Sequence, residues 1–144
     1  MQRRALLMGV GVGVFGLFGC GSKDADVTDE EWNRRLVEAL EPLDHVEELT
    51  DFNYSMQGAF GGRDSAWVSG TVRSDTNDPA TNEALLEEVG RQIATVHRDN
   101  GARRSSIMVH VLSPNLTKYK FETMLDVDLA TLDTLAAHYG IARR

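Results

Sequence analysis

The sequence predicts an α+β fold in which a four-stranded sheet, made from two β-hairpins, is packed by amphipathic helices as a two-layer sandwich, in the order αββαββα. Three observations lead to this prediction. Apolar residues recur at helical spacing in three segments, and they alternate with polar residues in four others. A chain of 144 residues, 42% hydrophobic and 26% charged, has the size and composition of a single globular domain.

Each predicted helix has a start signal and an apolar stripe. The segment Thr28 to Glu31 is a capping box, and the helix that follows it ends at Pro42. Asp78 is the expected N-cap of a second helix over 79–99, and Asp128 that of the last helix. The three apolar stripes are Trp32, Leu36, Val37 and Leu40; Leu85, Leu86, Val89, Ile93 and Val96; and Leu129, Leu132, Leu135, Ala136 and Tyr139.

The four alternating segments predict two hairpins. Phe52–Phe60 and Ala66–Val72 flank a glycine-rich turn at 61–64, and Ser106–Leu112 and Thr117–Leu125 form the second pair. Apolar residues expected on one face of these strands are Phe52, Tyr54, Met56, Phe60, Val68, Val72, Tyr119, Phe121 and Leu125.

The net charge argues against nucleic-acid binding, and the cysteine content excludes an internal disulfide. The net charge is −7, with 15 basic against 22 acidic residues, so the chain is a poor candidate for binding nucleic acid. Cys20 is the sole cysteine, which excludes an intramolecular disulfide. The domain must therefore be stable through packing alone.

The N-terminal segment has the pattern of an export signal. Arg3 and Arg4 precede an uncharged apolar run, Ala5–Phe18, which is shorter than the roughly 20 residues that a transmembrane helix needs. The run ends in Leu17, Phe18, Gly19 and Cys20. This ending resembles the lipobox of bacterial prolipoproteins.

The lipobox resemblance implies how the chain is divided and where it resides. Residues 1–19 would be a signal peptide, 20–27 a lipidated N-terminus with a short tether, and 28–144 a single extracytoplasmic α+β domain. Acylation of Cys20 would anchor the protein through membrane lipid to the outer face of the cell membrane or to an outer membrane. The alternative is an apolar anchor retained without cleavage.

The start of the chain also resembles a twin-arginine export signal. Arg3 and Arg4 are adjacent, and the apolar run after them is rich in glycine, which lowers its hydrophobicity. The resemblance implies that these two arginines are read by the export machinery, although the general secretory route remains open.

No catalytic or metal-binding pattern stands out in the sequence. The histidines His45, His97, His110 and His138 lack metal-ligand spacing, and nucleophile and phosphate-loop motifs do not occur. We therefore predict no catalytic residues, no metal and no cofactor.

Two surfaces are candidates for binding. Arg103, Arg104, Lys118 and Lys120 bracket the second predicted hairpin and could contact anionic lipid headgroups or envelope polymers. Alternatively, the lysines protect a sheet edge from pairing with another chain. The aromatic and methionine residues Phe52, Tyr54, Met56, Tyr119 and Phe121 could line a lipophilic groove, or they could simply form the core.

Three functions are compatible with these features. The first is a membrane-anchored, non-catalytic binding or adaptor module that contacts an envelope protein or a small ligand. The second rests on Trp67–Ser74, which resembles the Ser-Gly-Thr-Val strand of BON domains and so implies envelope homeostasis and association with phospholipid. The third is an enzyme without a recognisable motif, using dispersed polar residues such as Asp64, Arg73, His97 and Glu122.

Overall fold

The first helix begins where the capping box predicts. In the computed structural model, which describes residues 27–58 and 64–144, the Thr28 hydroxyl accepts the N–H of Glu31 at 3.1 Å. The expected export signal at 1–19, with Arg3, Arg4, Leu17, Phe18 and Gly19, lies outside the described residues. So do Cys20, most of the expected tether, Phe60 and residues 61–63 of the expected turn. The helices and strands are α1 Asp29–Leu40, β1 Val46–Gln57, β2 Ser65–Ser74, α2 Pro79–Val96, β3 Arg104–Leu112, β4 Lys118–Lys120, α3 Phe121–Leu125 and α4 Leu132–His138.

The four strands form one mixed sheet in the order β1-β2-β3-β4. Strands β1 and β2 are antiparallel, as are β3 and β4, so each of the two predicted hairpins is present. Between the hairpins, β2 and β3 run parallel, from the pair Ser65 and Arg104 to the pair Arg73 and Leu112. A parallel pair needs a crossover, which α2 provides. The predicted two-layer α+β sandwich is confirmed.

The core lies between one face of the sheet and the helices. The α2 stripe is buried as predicted at Leu85, Leu86, Val89 and Ile93, while Val96 is partly buried against the core. Alternation in the two central strands buries every second residue against this layer: Ala66, Val68, Gly70 and Val72 in β2, and Ile107, Val109 and Val111 in β3.

Two glycines allow close packing in this core. A Cβ atom on Gly70 would lie 2.7 Å from the Phe52 ring, so the aromatic side chain fits only because β2 has no side chain there. In α2, a Cβ on Gly90 would lie 2.6 Å from Tyr139 Oη and 2.8 Å from Phe121 Cε1. The two glycines therefore bring β1 onto β2 and the C-terminal helices onto α2.

The predicted strand over Thr117–Leu125 is present only at Lys118–Lys120. Strand β4 ends at Lys120, and α3 begins at Phe121, which adds a helix to the predicted order. Phe121 is fully buried because the start of α3 directs it into the core beside Gly90. The spacing of Tyr119 and Phe121 therefore has the period of a strand, although Tyr119 belongs to β4 and Phe121 to α3.

The predicted bounds of three other elements also need correction. The last helix is capped by Thr131 rather than Asp128, because Thr131 and Thr134 form a reciprocal capping box. Leu129 consequently precedes the helix and is exposed instead of belonging to its apolar stripe. Helix α2 ends at Val96 rather than 99, and β1 already begins at Val46.

Candidate functional site

The sheet has one face that is turned away from the helices, and we call it the open face. It is formed in the central strands by Trp67, Ser69, Thr71, Arg73, Ser106, Met108, His110 and Leu112, which alternate with the buried residues. Trp67 and Met108 are 42% and 47% exposed. They are diagonal neighbours on the same face of adjacent strands, because Trp67 is opposite Ser106 and Met108 is opposite Ser69, two positions further along. Large apolar side chains grouped on a surface are typical of contact sites.

The four predicted basic residues separate into two groups at opposite ends of β3. Arg103 and Arg104 lie at its start, where both backbone N–H groups donate to the carbonyl of Asp64 at 2.8 and 3.0 Å. Lys118 and Lys120 are opposite Leu112 and His110, near its end. About six residues of strand, roughly 20 Å at 3.3 Å per residue, separate Arg104 from Lys120. The basic residues therefore do not form a single patch.

We call the group Trp67, Arg103 and Arg104 the arginine end, and Lys118 with Lys120 the lysine end. Strand alternation places Arg104, Lys118 and Lys120 on the open face. Strand β4 is an edge of the sheet, so its lysines also fit the alternative that they prevent edge-to-edge pairing.

His110 lies on the open face at the lysine end, opposite Lys120. Its Nε2 is 3.3 Å from the hydroxyl oxygen of Thr71 on the neighbouring strand. Partial burial lowers the pKa of His110, and the positive charges of Lys118 and Lys120 lower it further. The imidazole is therefore a neutral hydrogen-bonding group near neutral pH.

A second polar cluster is sealed inside the core. His97 is stacked on Tyr54, with ring centroids 5.3 Å apart, and its ring is 5.0 Å from Trp32. The Asn100 side-chain N–H group donates to Tyr54 Oη at 2.6 Å and lies 3.3 Å from His97 Nδ1, while Asn100 Oδ1 accepts the N–H of Ala102. Since Nδ1 accepts, the neutral ring carries its hydrogen on Nε2, which has no partner among the described residues.

Burial controls the protonation of His97. Desolvation, followed by the positive charges of Arg143 and Arg35, lowers its pKa to about 3. Arg143 holds the C-terminal segment over this cluster, since it donates to the carbonyls of Asn100 and Ala102 and forms an ion pair with Asp133. His97 is thus a neutral core residue and is not exposed to substrate.

The dispersed polar residues considered for an enzyme are not brought together. His97 lies in the core, whereas Arg73 is on the open face and its Nε is 3.9 Å from Glu48 Oε2. Asp64 precedes β2, and Glu122 belongs to α3. These four side chains therefore do not share a cleft.

The five residues that could line a lipophilic groove or form the core belong to the core. Tyr54 and Phe121 are buried, and Phe52, Met56 and Tyr119 are partly buried against them. A different groove of about 680 Å³ opens between Pro42 to His45 and the first turns of α2. The His45 Nδ1 atom at its rim lies 2.9 Å from Asp75 Oδ1.

The described residues 27–58 and 64–144 contain no group of three or more His, Cys, Asp or Glu side chains arranged to hold a metal ion. Within the same residues, every helix is too short or too polar to cross a bilayer.

No family model, curated protein or solved structure matches this chain.

Sequence reasoning missed the two main features of the site. The exposure of Trp67 and Met108 was readable in principle, since both alternate with buried residues and so occupy the polar face of their strands. The contact of His97 with Trp32 and Tyr54 was not readable, because three separate elements meet there.

Proposed function

We propose that the protein is a membrane-anchored extracytoplasmic lipoprotein whose folded domain is a non-catalytic binding or adaptor module. The observation that carries the binding part is the open face, where Trp67 and Met108 are exposed on a sheet surface that bears no helix among the described residues. The anchor part depends on the lipobox-like Leu17 to Cys20.

The chemistry of the titratable groups favours binding over catalysis. Catalytic sites generally combine strongly shifted pKa values with access to a cleft. Here the pKa of the His97 imidazole is strongly lowered, but the ring is buried beside Trp32 and Tyr54 and is not accessible to a substrate. Glu31, whose pKa is lowered to about 2 by hydrogen bonds from Arg34 and Arg35, lies on an exposed helix surface as an ordinary ion pair.

The proposed anchor also explains how a modest binding surface becomes effective. A lipid on Cys20 confines the domain to the membrane plane, which raises the effective concentration of any partner in the same membrane. Weak contacts through a small exposed surface are then sufficient for occupancy.

The anchor is tested by Cys20→Ser in the full chain. We expect loss of fatty-acid labelling in cells and a shift of the protein out of the detergent phase, because the acylated thiol is removed. Ser22→Ala, two residues away, is the matched control and should remain labelled. A Cys20→Ser variant that still carries the fatty-acid label would show that the lipoprotein assignment is wrong.

A further inference from the structure

The chain enters the fold at one particular end of the sheet. The N-terminal residue of α1, Asp29, accepts the backbone N–H of Met56 through its carboxylate at 3.2 Å. Met56 is near the end of β1 and pairs with Ala66 at the start of β2. The start of β2 in turn pairs with the start of β3, since Ser65 is opposite Arg104. The first helix therefore begins at the same end of the sheet as Trp67 and Arg104.

The distance from this entry point to the proposed anchor is short. Cys20 and Val27 are seven residues apart, and seven extended residues span at most about 25 Å. The end of the sheet where α1 begins is therefore held near the bilayer when Cys20 is acylated. The lysine end lies roughly 20 Å further along β3.

The arginine end has the side chains that a membrane surface attracts. Trp67 is amphipathic and exposed, and tryptophan favours the boundary between headgroups and acyl chains. Arg103 and Arg104 are exposed and have no ion-pair partner among the described residues, in contrast to Arg73. Guanidinium groups bind phosphate through paired hydrogen bonds, and basic residues are attracted by the negative surface potential of an anionic leaflet.

Acidic residues also lie at this end, namely Asp24 and Asp26 in the expected tether, Asp64 beside β2 and the first turn of α1, so the contact depends on which side of the domain meets the bilayer. The acidic first turn of α1 lies in the helical layer, on the other side of the sheet from Trp67. Glu31 in that turn is paired with Arg34 and Arg35. Asp64 adjoins β2 at this end, where it supplies one negative charge and Arg103 and Arg104 supply two positive charges.

We propose that the arginine end, Trp67 with Arg103 and Arg104, rests on the anionic headgroup surface of the membrane that holds the chain. This inference deepens the proposed function and rests on it for the position of the tether at Cys20. It gives the domain an orientation in which the lysine end points away from the bilayer.

The experiment couples the chain that begins at Cys20 to a maleimide-bearing lipid through its sole thiol, so that the tether exists whether or not cells acylate it. The vesicles contain phosphatidylglycerol and phosphatidylcholine with brominated acyl chains, which quench tryptophan fluorescence on contact. The only two tryptophans are Trp32, which is 3% exposed in the core, and Trp67, so quenching reports on Trp67.

We expect clear quenching with the unmodified chain and its loss in Trp67→Phe. Arg103→Ala combined with Arg104→Ala should reduce the quenching, and Lys118→Ala combined with Lys120→Ala should leave it unchanged. Vesicles of phosphatidylcholine alone should quench as weakly as the arginine variant does. Thermal melting of each variant verifies that it is folded.

Three results would overturn the inference. These are quenching that is the same in Trp67→Phe, loss of quenching in the lysine variant with retention in the arginine variant, and absence of quenching on anionic vesicles. None of them affects the Cys20→Ser labelling result in cells, so failure of this inference is distinguishable from failure of the proposed function.

Discussion

The two faces of the sheet are built from the same strands, but their side chains make different contacts. In β3, Val109 is buried under the helices, whereas the preceding residue, Met108, is 47% exposed. In β2, Val68 and Trp67 show the same contrast. The core face determines stability, and the open face is available for contact with another surface. Substitutions on the two faces should therefore separate folding from binding.

The largest effect is expected for a truncation in the core at α2. Ile93 is fully buried, and replacing a buried isoleucine with alanine typically costs 2–5 kcal/mol through lost burial and the remaining cavity. We expect Ile93→Ala to lower the free energy of unfolding in urea by about this amount. Glu83→Ala, on the exposed side of the same helix, should change it by less than about 0.5 kcal/mol.

The choice of control matters for this comparison. Spacing alone assigns Glu87 to the solvent side of α2, but its backbone carbonyl and its carboxylate both accept from Tyr139 Oη, at 2.6 and 2.8 Å. A Glu87→Ala variant would therefore lose a tertiary contact. Equal losses of stability in Ile93→Ala and Glu83→Ala would show that the buried face of α2 is assigned wrongly.

The second prediction concerns the loss of stability at acidic pH. His97 has a pKa of about 3 in the folded chain against an ordinary value of 6.5, so the unfolded chain takes up a proton first as the pH falls. Stability should decrease from pH 6.5 towards pH 3, by about 1.4 kcal/mol per pH unit, or about 2 kcal/mol by pH 5. Chemical denaturation across this range measures it.

The control for the acid effect is His97→Phe, which keeps an aromatic ring beside Tyr54 and Trp32 but cannot be protonated. The slope of stability between pH 6.5 and 5 should be much smaller in this variant. A weaker dependence from His110 should remain, because burial and the two lysines lower its pKa in the same direction. Identical pH profiles for the unmodified chain and His97→Phe would contradict the prediction.

The third prediction concerns the C-terminal segment over the same cluster. The Arg143 side chain is 15% exposed and donates to the carbonyls of Asn100 and Ala102. Arg143→Ala should cost about 1–3 kcal/mol, since hydrogen bonds from a charged donor are lost and the carbonyls lose a partner. Arg144→Ala, at a side chain that is 71% exposed, is the matched control and should have little effect on the melting temperature.

The smallest effect is expected on the open face. Met108→Ser should change the free energy of unfolding by less than about 0.5 kcal/mol, because the side chain is already half exposed. Val109→Ser places a hydroxyl in the core one residue later and should cost several times more. Comparable losses for the two variants would mean that the open face is covered in solution.

Local patterns predicted most of the fold. Thr28 caps α1 through contacts within four residues. The apolar stripe of α2 predicts directly which side of the helix is buried. The two hairpins were also predictable, because alternation at residues such as Tyr54 and Val68 depends only on their own strands.

The predictions were wrong where contacts between residues far apart in the sequence determine the bounds of an element or the position of a side chain. Thr131 rather than Asp128 caps α4, since the preceding Ala130 carbonyl accepts the N–H of Ile107 in β3 at 2.9 Å and so keeps that segment extended. Phe121 starts a helix because its ring fills the space left by Gly90. The division of the basic residues into two ends likewise depends on β3 spanning the distance between them.

The parallel pairing of β2 with β3 also constrains how the chain reaches its folded state. The paired residues Ser65 and Arg104 are thirty-nine positions apart in the sequence. In the hairpin of β1 and β2, by contrast, pairing begins at Gln57 and Ser65, which are only eight positions apart. None of the hydrogen bonds between β2 and β3 can form until the intervening segment, including α2, has closed this loop, which costs chain entropy before any contact compensates for it. Until that closure, the inner edges of β2 and β3 remain unpaired, and unpaired strand edges can associate with another copy of the chain.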